Sequence, residues 1–157
     1  MPPLLDRPSP VALVAVAPDQ PGNLGALIRI TACFAAPLHV VEPCGFPFSP
    51  KAWARSAMDY ARLADLVRHD GWAAFRASWS GRMVALTAHG ETALWDTRFA
   101  PGDALLLGSE STGLSEPIRA GAALRVRIPI APQARSLNIA VAGAVALAEA
   151  QRQLLWC

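Results

Sequence analysis

The chain has 157 residues, 53% of them apolar, and a formal net charge of +2. That length suits one domain spanning residues 1–157, large enough to bury roughly two thirds of its unfolded surface without a disulfide or a metal. The charge is too small to establish a polyanionic partner, and no uninterrupted apolar run reaches the about 18 residues of a membrane span. Cys33, Cys44 and Cys157 are odd in number and unpaired in spacing, which points to a reducing, cytoplasmic setting and offers no zinc pattern. Thirteen of the fourteen basic residues are Arg, with Lys51 alone. The guanidinium fork suits phosphate, and in an Ala-rich chain the same bias equally reflects base composition.

Residues 1–10 hold four prolines and read as an irregular lead-in. Residues 11–17 form a continuous apolar run bounded by proline, the pattern of a central parallel strand buried on both faces. The run ends in Ala15-Val16-Ala17, which resembles a cleavage site, but Asp6, Arg7 and Pro18 fit a signal peptide poorly and a buried strand is expected. A turn over residues 18–22 leads to a helix over residues 24–34, with Asn23 as its cap and Leu24, Leu27, Ile28 and Thr31 at helical spacing.

Further strands are expected at residues 38–41, 64–68, 83–87, 104–107 and 125–128. Helices are expected at 50–58, capped by Ser49 with Pro50 at the first position, and at 71–78, 115–120 and 136–155. A polar segment follows the fourth strand through Gly102. Strands alternating with helices predict an α/β fold, a mainly parallel sheet covered on both faces.

Three of these strands run into loops that should gather on one sheet edge. The first loop carries Asn23, Gly25 and Arg29. The second carries Gly108-Ser-Glu110-Ser-Thr-Gly113. The third runs from Ile128-Pro-Ile130 to Arg135-Ser136-Leu137-Asn138. Singly, Gly25 fits a small packing residue, Arg29 a solvated charge and Glu110 a loop acid. The Gly-Lys-Ser/Thr of a phosphate-binding loop is missing, no G-x-G-x-x-G follows the first strand, and His39, His69 and His89 show no partners or metal spacing. His89 follows the fourth predicted strand and reads as a surface residue.

In order and spacing the three loops resemble the motifs of the SpoU-type RNA 2′-O-ribose methyltransferases of the SPOUT superfamily, over about residues 14–153. His39-Val-Val-Glu-Pro-Cys-Gly-Phe and Met58-Asp-Tyr60 place the resemblance nearest the short bacterial members that methylate wobble-position cytidine or uridine in tRNA. The resemblance implies a C-terminal trefoil knot, a homodimer, S-adenosylmethionine as methyl donor, tRNA as substrate, and no metal.

It also implies a donor pocket at Leu86, Thr87, Gly108, Ile128, Ile130, Ser136, Leu137 and Asn138. Apolar walls and approachable backbone suit an adenine there. Arg29 is the implied catalytic residue. A guanidinium stays protonated, so holding a phosphate or stabilising a developing alkoxide suits it better than acting as a base. Asn23 is expected to orient Arg29 or the ribose, Glu110 to fix its loop or a basic partner, and Ser136 and Asn138 to align donor and acceptor.

Two departures stand out. Ala140 replaces a common Ser two residues after the third-motif Asn, and Ala35-Ala36 replaces a common Gly-Phe, which should slightly stiffen a turn. The short lead-in leaves the dimer itself to present the RNA surface, through Lys51, Arg55 and Arg62. The competing expectations are a methyltransferase acting on another tRNA or ribosomal RNA ribose, and a non-catalytic knotted RNA-binding module. The small residues Ala140, Ala142, Gly143, Ala144 and Ala146 fit close packing through a knot and against a partner, or plain helix propensity.

Overall fold

The structure, a computed structural model, describes residues 7–49, 51 and 57–156. Seven parallel strands form one sheet: β1 (Ala12–Val16), β2 (Pro37–Val41), β3 (Asp65–His69), β4 (Met83–Leu86), β5 (Thr92–Ala93), β6 (Ala104–Leu107) and β7 (Leu124–Arg127). Their order across the sheet is β3-β2-β1-β6-β4-β7-β5. The α/β class and parallel sheet expected from the apolar runs are therefore found. The helix expected over residues 50–58 lies largely outside the described residues, as does Arg55.

Strand β1 is buried along its whole length because it is central and covered twice. Alternate side chains serve the two faces. Leu13 and Ala15 join Leu38, Leu105 and Val126 beneath helices α1 (Pro21–Cys33) and α4 (Ile139–Leu155), which supply Leu24, Leu27, Ile28, Ala146 and Leu147. Val14 and Val16 join Met83, Ala85 and Leu106 beneath α2 (Trp72–Ser78) and α3 (Glu116–Gly121), which supply Phe75 and Ile118.

The small residues of α4 act partly at this contact. Ala140, Gly143, Ala146 and Ala150 are buried, and a Cβ on Gly143 would lie 3.0–3.3 Å from side-chain carbons of Leu107, Leu27 and Leu13. At the amino edge of the sheet, Arg82 forks onto the fully buried Asp103 at 2.9 and 2.8 Å, tying the entries of β4 and β6.

Several expectations are corrected. The polar segment after residue 88 holds a strand that the sequence does not announce: Thr92 and Ala93 form β5 beside β7. Two residues are too few for a period to emerge from the sequence. Strand β7 thus sits inside the sheet, between β4 and β5, an insertion consistent with the threading that the resemblance implies.

Asn23 does not cap α1. The helix starts earlier, with Pro21 in its first turn and Gln20 at the cap position, because proline lacks the N–H that would go unpaired there. Helix α4 starts later than residue 136, with Asn138 as its cap. His39 and His69 are partners: their Nδ1 and Nε2 atoms lie 2.8 Å apart on neighbouring strands, stacked together against Phe75.

The Ala35-Ala36 departure does more than stiffen a turn. Ala36 N–H donates to Thr31 O at 2.9 Å and Ala35 N–H to Ala32 O at 3.3 Å, the paired bonds that close a helix through a left-handed residue. Ala35 occupies that position with φ 50°, where glycine is preferred.

Candidate active site

Because all strands run the same way, the loops after β1, β4, β6 and β7 share the carboxyl edge of the sheet, where α/β proteins build their sites. A cavity of about 340 Å³ opens there. Seven of the eight residues expected to hold a donor line it: Leu86 and Thr87 beyond β4, Gly108 beyond β6, Ile128 and Ile130 beyond β7, and Ser136 and Leu137 before α4. Asn138 instead lines an adjoining recess of about 370 Å³ with Gln20 and Asn23. Glu110, Ser136, Leu137 and Ile139 border both spaces.

Gly108 is required by close approach of backbone. A Cβ there would fall 2.2 Å from the carbonyl carbon of Gly113 and 2.3 Å from the nitrogen of Leu114. The loop doubles back on itself, with Gly113 N–H donating to Ser109 O at 2.9 Å and the Ser109 and Thr112 hydroxyls 2.7 Å apart. This fold-back places Glu110 at the seam between the two spaces.

The polar site residues form one chain of hydrogen bonds. Asn23 Nδ2 donates to Glu110 Oε1 at 3.0 Å, and the Asp19 backbone N–H donates to Glu110 Oε2 at 2.8 Å. Asn138 Nδ2 donates to Asn23 Oδ1 at 2.8 Å, while Asn138 Oδ1 accepts from the N–H groups of Ala140 and Val141. Asn138 therefore satisfies the first turn of α4 and links it to α1. The Ala140 departure is accommodated: its N–H is used by the cap and its methyl is buried.

Glu110 and Asp19 have carboxyls shifted in opposite directions. Burial, and then the neighbouring Asp19 carboxyl, raise Glu110 above the ordinary carboxylate value. The neighbouring Glu110 carboxyl and the Ser111 hydroxyl hold Asp19 below it.

Arg29 is not part of this chain. It is exposed on α1, its guanidinium carbon 5.0 Å from the centroid of the Tyr60 ring, and it lines neither space. Asn23 binds Glu110 and Asn138. Residues not singled out from sequence also line the cavity, among them Leu107, Thr112 and Arg119. Arg119 donates to Leu114 O and to Glu116, three residues earlier on the same helix. His89 is exposed at the cavity wall.

The parallel sheet thus carries a pocket at its carboxyl edge with an Asn-Glu-Asn chain of hydrogen bonds beside it. The profile of the SpoU rRNA Methylase family matches residues 10–148, and the chain belongs to that family. It is 42% identical over 146 residues to the tRNA (cytidine(34)-2′-O)-methyltransferase of Beijerinckia indica, covering 90% of this chain and 91% of that protein. The enzyme of the same name from Aeromonas hydrophila is also 42% identical, with 90% and 93% covered.

Among solved structures, one described as giving insight into 2-OH methylation of C/U34 on tRNA superposes with a TM-score of 0.89 at 40% identity, covering 94% of this chain and 97% of that one. The SpoU methyltransferase AviRb of Streptomyces viridochromogenes, solved with AdoMet, superposes at 0.80 with 29% identity, covering 97% of this chain and 60% of that one.

Proposed function

We propose that this protein is a tRNA 2′-O-ribose methyltransferase that moves a methyl group from S-adenosylmethionine to the 2′-hydroxyl of cytidine or uridine at position 34. Support comes from the site and the relatives together. The observation that carries the reading is that a cavity adjoins a polar recess across one shared wall, in a chain whose tRNA (cytidine(34)-2′-O)-methyltransferase relatives cover nine tenths of it.

The residues present fit the donor. Leu86, Ile128 and Ile130 offer apolar walls for an adenine, and Gly108 brings main chain close enough for backbone recognition. When bound, S-adenosylmethionine supplies a methyl group on an activated sulfonium leaving group. The chain's task is then alignment, which supplies as much as about 7–11 kcal/mol when two reactants are held in attacking geometry. Ser136 and Leu137, common to both spaces, face donor and acceptor together. Asn23 and Asn138 shape the acceptor recess.

A homodimer completes this reading. In this reading Val141, 47% exposed beside the Asn138 cap, would lie against the second copy. Arg29 stands outside the single chain's cavity, and in such a dimer it meets the ribose-phosphate presented to the site, holding the phosphate or steadying the developing alkoxide. Lys51 and Arg62, both exposed, extend the basic surface toward the RNA. A bacterial cytoplasm is the setting for such a reaction. Among the described residues no helix is long and apolar enough to cross a membrane.

Incubating the purified protein with labelled S-adenosylmethionine and total tRNA, then mapping the modified nucleotide, tests the reading. Label at nucleotide 34 supports it. Label in ribosomal RNA alone supports the second reading, which the family description favours. Donor binding with no transfer to any RNA sinks the enzyme reading.

A further inference from the structure

We infer that Glu110 accepts the proton of the ribose 2′-hydroxyl, and that Asp19 is the positioning residue that prepares it; this rests on the methyltransferase reading above. The group that takes this proton must stand where acceptor and donor meet. Among the described residues, Glu110 is the only titratable one that borders both the cavity and the recess. Within the single chain Arg29 borders neither.

Glu110 is held by both oxygens. Oε1 accepts from Asn23 and Oε2 from the Asp19 N–H, and each oxygen keeps a second lone pair for a substrate hydroxyl. The Asp19 side chain is tied by Oδ2 to the Ser111 hydroxyl, and its Oδ1 is buried with no hydrogen-bond partner. A buried carboxylate oxygen without a donor, beside a second carboxyl, disfavours two negative charges. Burial first, and the neighbouring Asp19 carboxyl next, raise Glu110 above its ordinary value, toward the basicity that suits proton transfer near neutral pH.

Among the described residues, few other titratable groups face Glu110. Cys44, on the loop after β2, has its thiol pushed up to about 11 by burial first and by Glu42 next, so it stays neutral. His89 and Arg119 line the cavity but not the recess.

The step balances. The bond from the 2′-oxygen to the methyl carbon forms as the carbon–sulfur bond breaks, with that electron pair going to sulfur. The sulfonium becomes a neutral thioether. The hydroxyl proton passes to Glu110, whose carboxylate becomes a carboxylic acid and later releases the proton to water.

The test joins single-turnover transfer across pH with a direct titration of Glu110 by carbon-13 NMR on glutamate-labelled protein. Glu110→Gln should lower the transfer rate by about 10²–10⁴-fold with donor affinity within a few fold of wild type. Glu110→Asp, which keeps a carboxylate, should recover part of the rate. Asp19→Asn should move the acid limb of the rate profile and the Glu110 titration to lower pH together. A folded Glu110→Gln variant with wild-type rate, or an Asp19→Asn variant with both curves unmoved, overturns the inference. Failure of the wild type to methylate any RNA would instead sink the proposed function. The NMR titration would still report on the pair: a shift in Asp19→Asn upholds the Asp19 role, and no shift refutes it.

Discussion

Asn138 donates to Asn23 across 2.8 Å, joining two side chains 115 residues apart in the chain. One carboxamide closes α4 and the other holds Glu110, so the capping of a helix and the geometry of the site are set by the same pair. Asn138→Ala should cost about 1 kcal/mol of stability through the lost cap, read by chemical denaturation. Asn23→Ala keeps the cap and should cost less. Both should slow methyl transfer by at least about tenfold, the scale of about 1.4 kcal/mol lost from the reacting complex. Equal transfer rates in Asn23→Ala and wild type would separate the pair from the chemistry.

Arg29→Ala should abolish detectable transfer while donor affinity stays within a few fold, because Arg29 lines neither space. Calorimetric titration with the donor, set beside single-turnover rates, checks this. A folded monomer with full activity would contradict the proposed dimer.

Gly108→Ala should damage donor binding more than stability. The new methyl falls on the backbone of Gly113 and Leu114, so the loop has to move rather than a side chain. Overpacking of this kind costs about 1–3 kcal/mol. The expected outcome is a folded protein, by circular dichroism, with donor affinity reduced at least about tenfold.

Ala35→Gly should stabilise the chain by about 1 kcal/mol, since Ala35 closes α1 with φ 50° and a Cβ disfavours that conformation. A higher urea midpoint with an unchanged slope is the expected reading.

Acid should destabilise the fold through the His39–His69 pair. Burial, and for His39 also the neighbouring His69, lower both below the ordinary value of 6.5. In the window between those lowered values and 6.5 the unfolded chain binds more protons, so stability rises with pH there. It is fully present above 6.5 and is lost as pH falls through the folded-state values. The thermal midpoint should therefore fall on acidification below 6.5, and His69→Gln should flatten that slope.

Much of the architecture was legible because it is encoded locally. The run from Val11 to Ala17 announces a doubly covered strand by having no polar face, and residues 104–107 repeat that pattern in β6. Parallel strands of this kind send their following loops to one edge. That topological rule alone brought Gly108, Ile128, Ile130, Ser136 and Leu137 to one cavity.

What the sequence by itself determined, then, is the order of β1–β4, β6 and β7 and of helices α1–α4, and the set of loops that meet. Only the tertiary structure decided which side chains bind each other: Asn23 to Glu110 rather than to its own helix, His39 to His69, Asp19 beside Glu110, and β7 between β4 and β5. Periodicity reports the burial of a residue relative to its own neighbours in the chain. A hydrogen bond depends on a few tenths of an ångström between segments tens of residues apart, and no local pattern carries that distance.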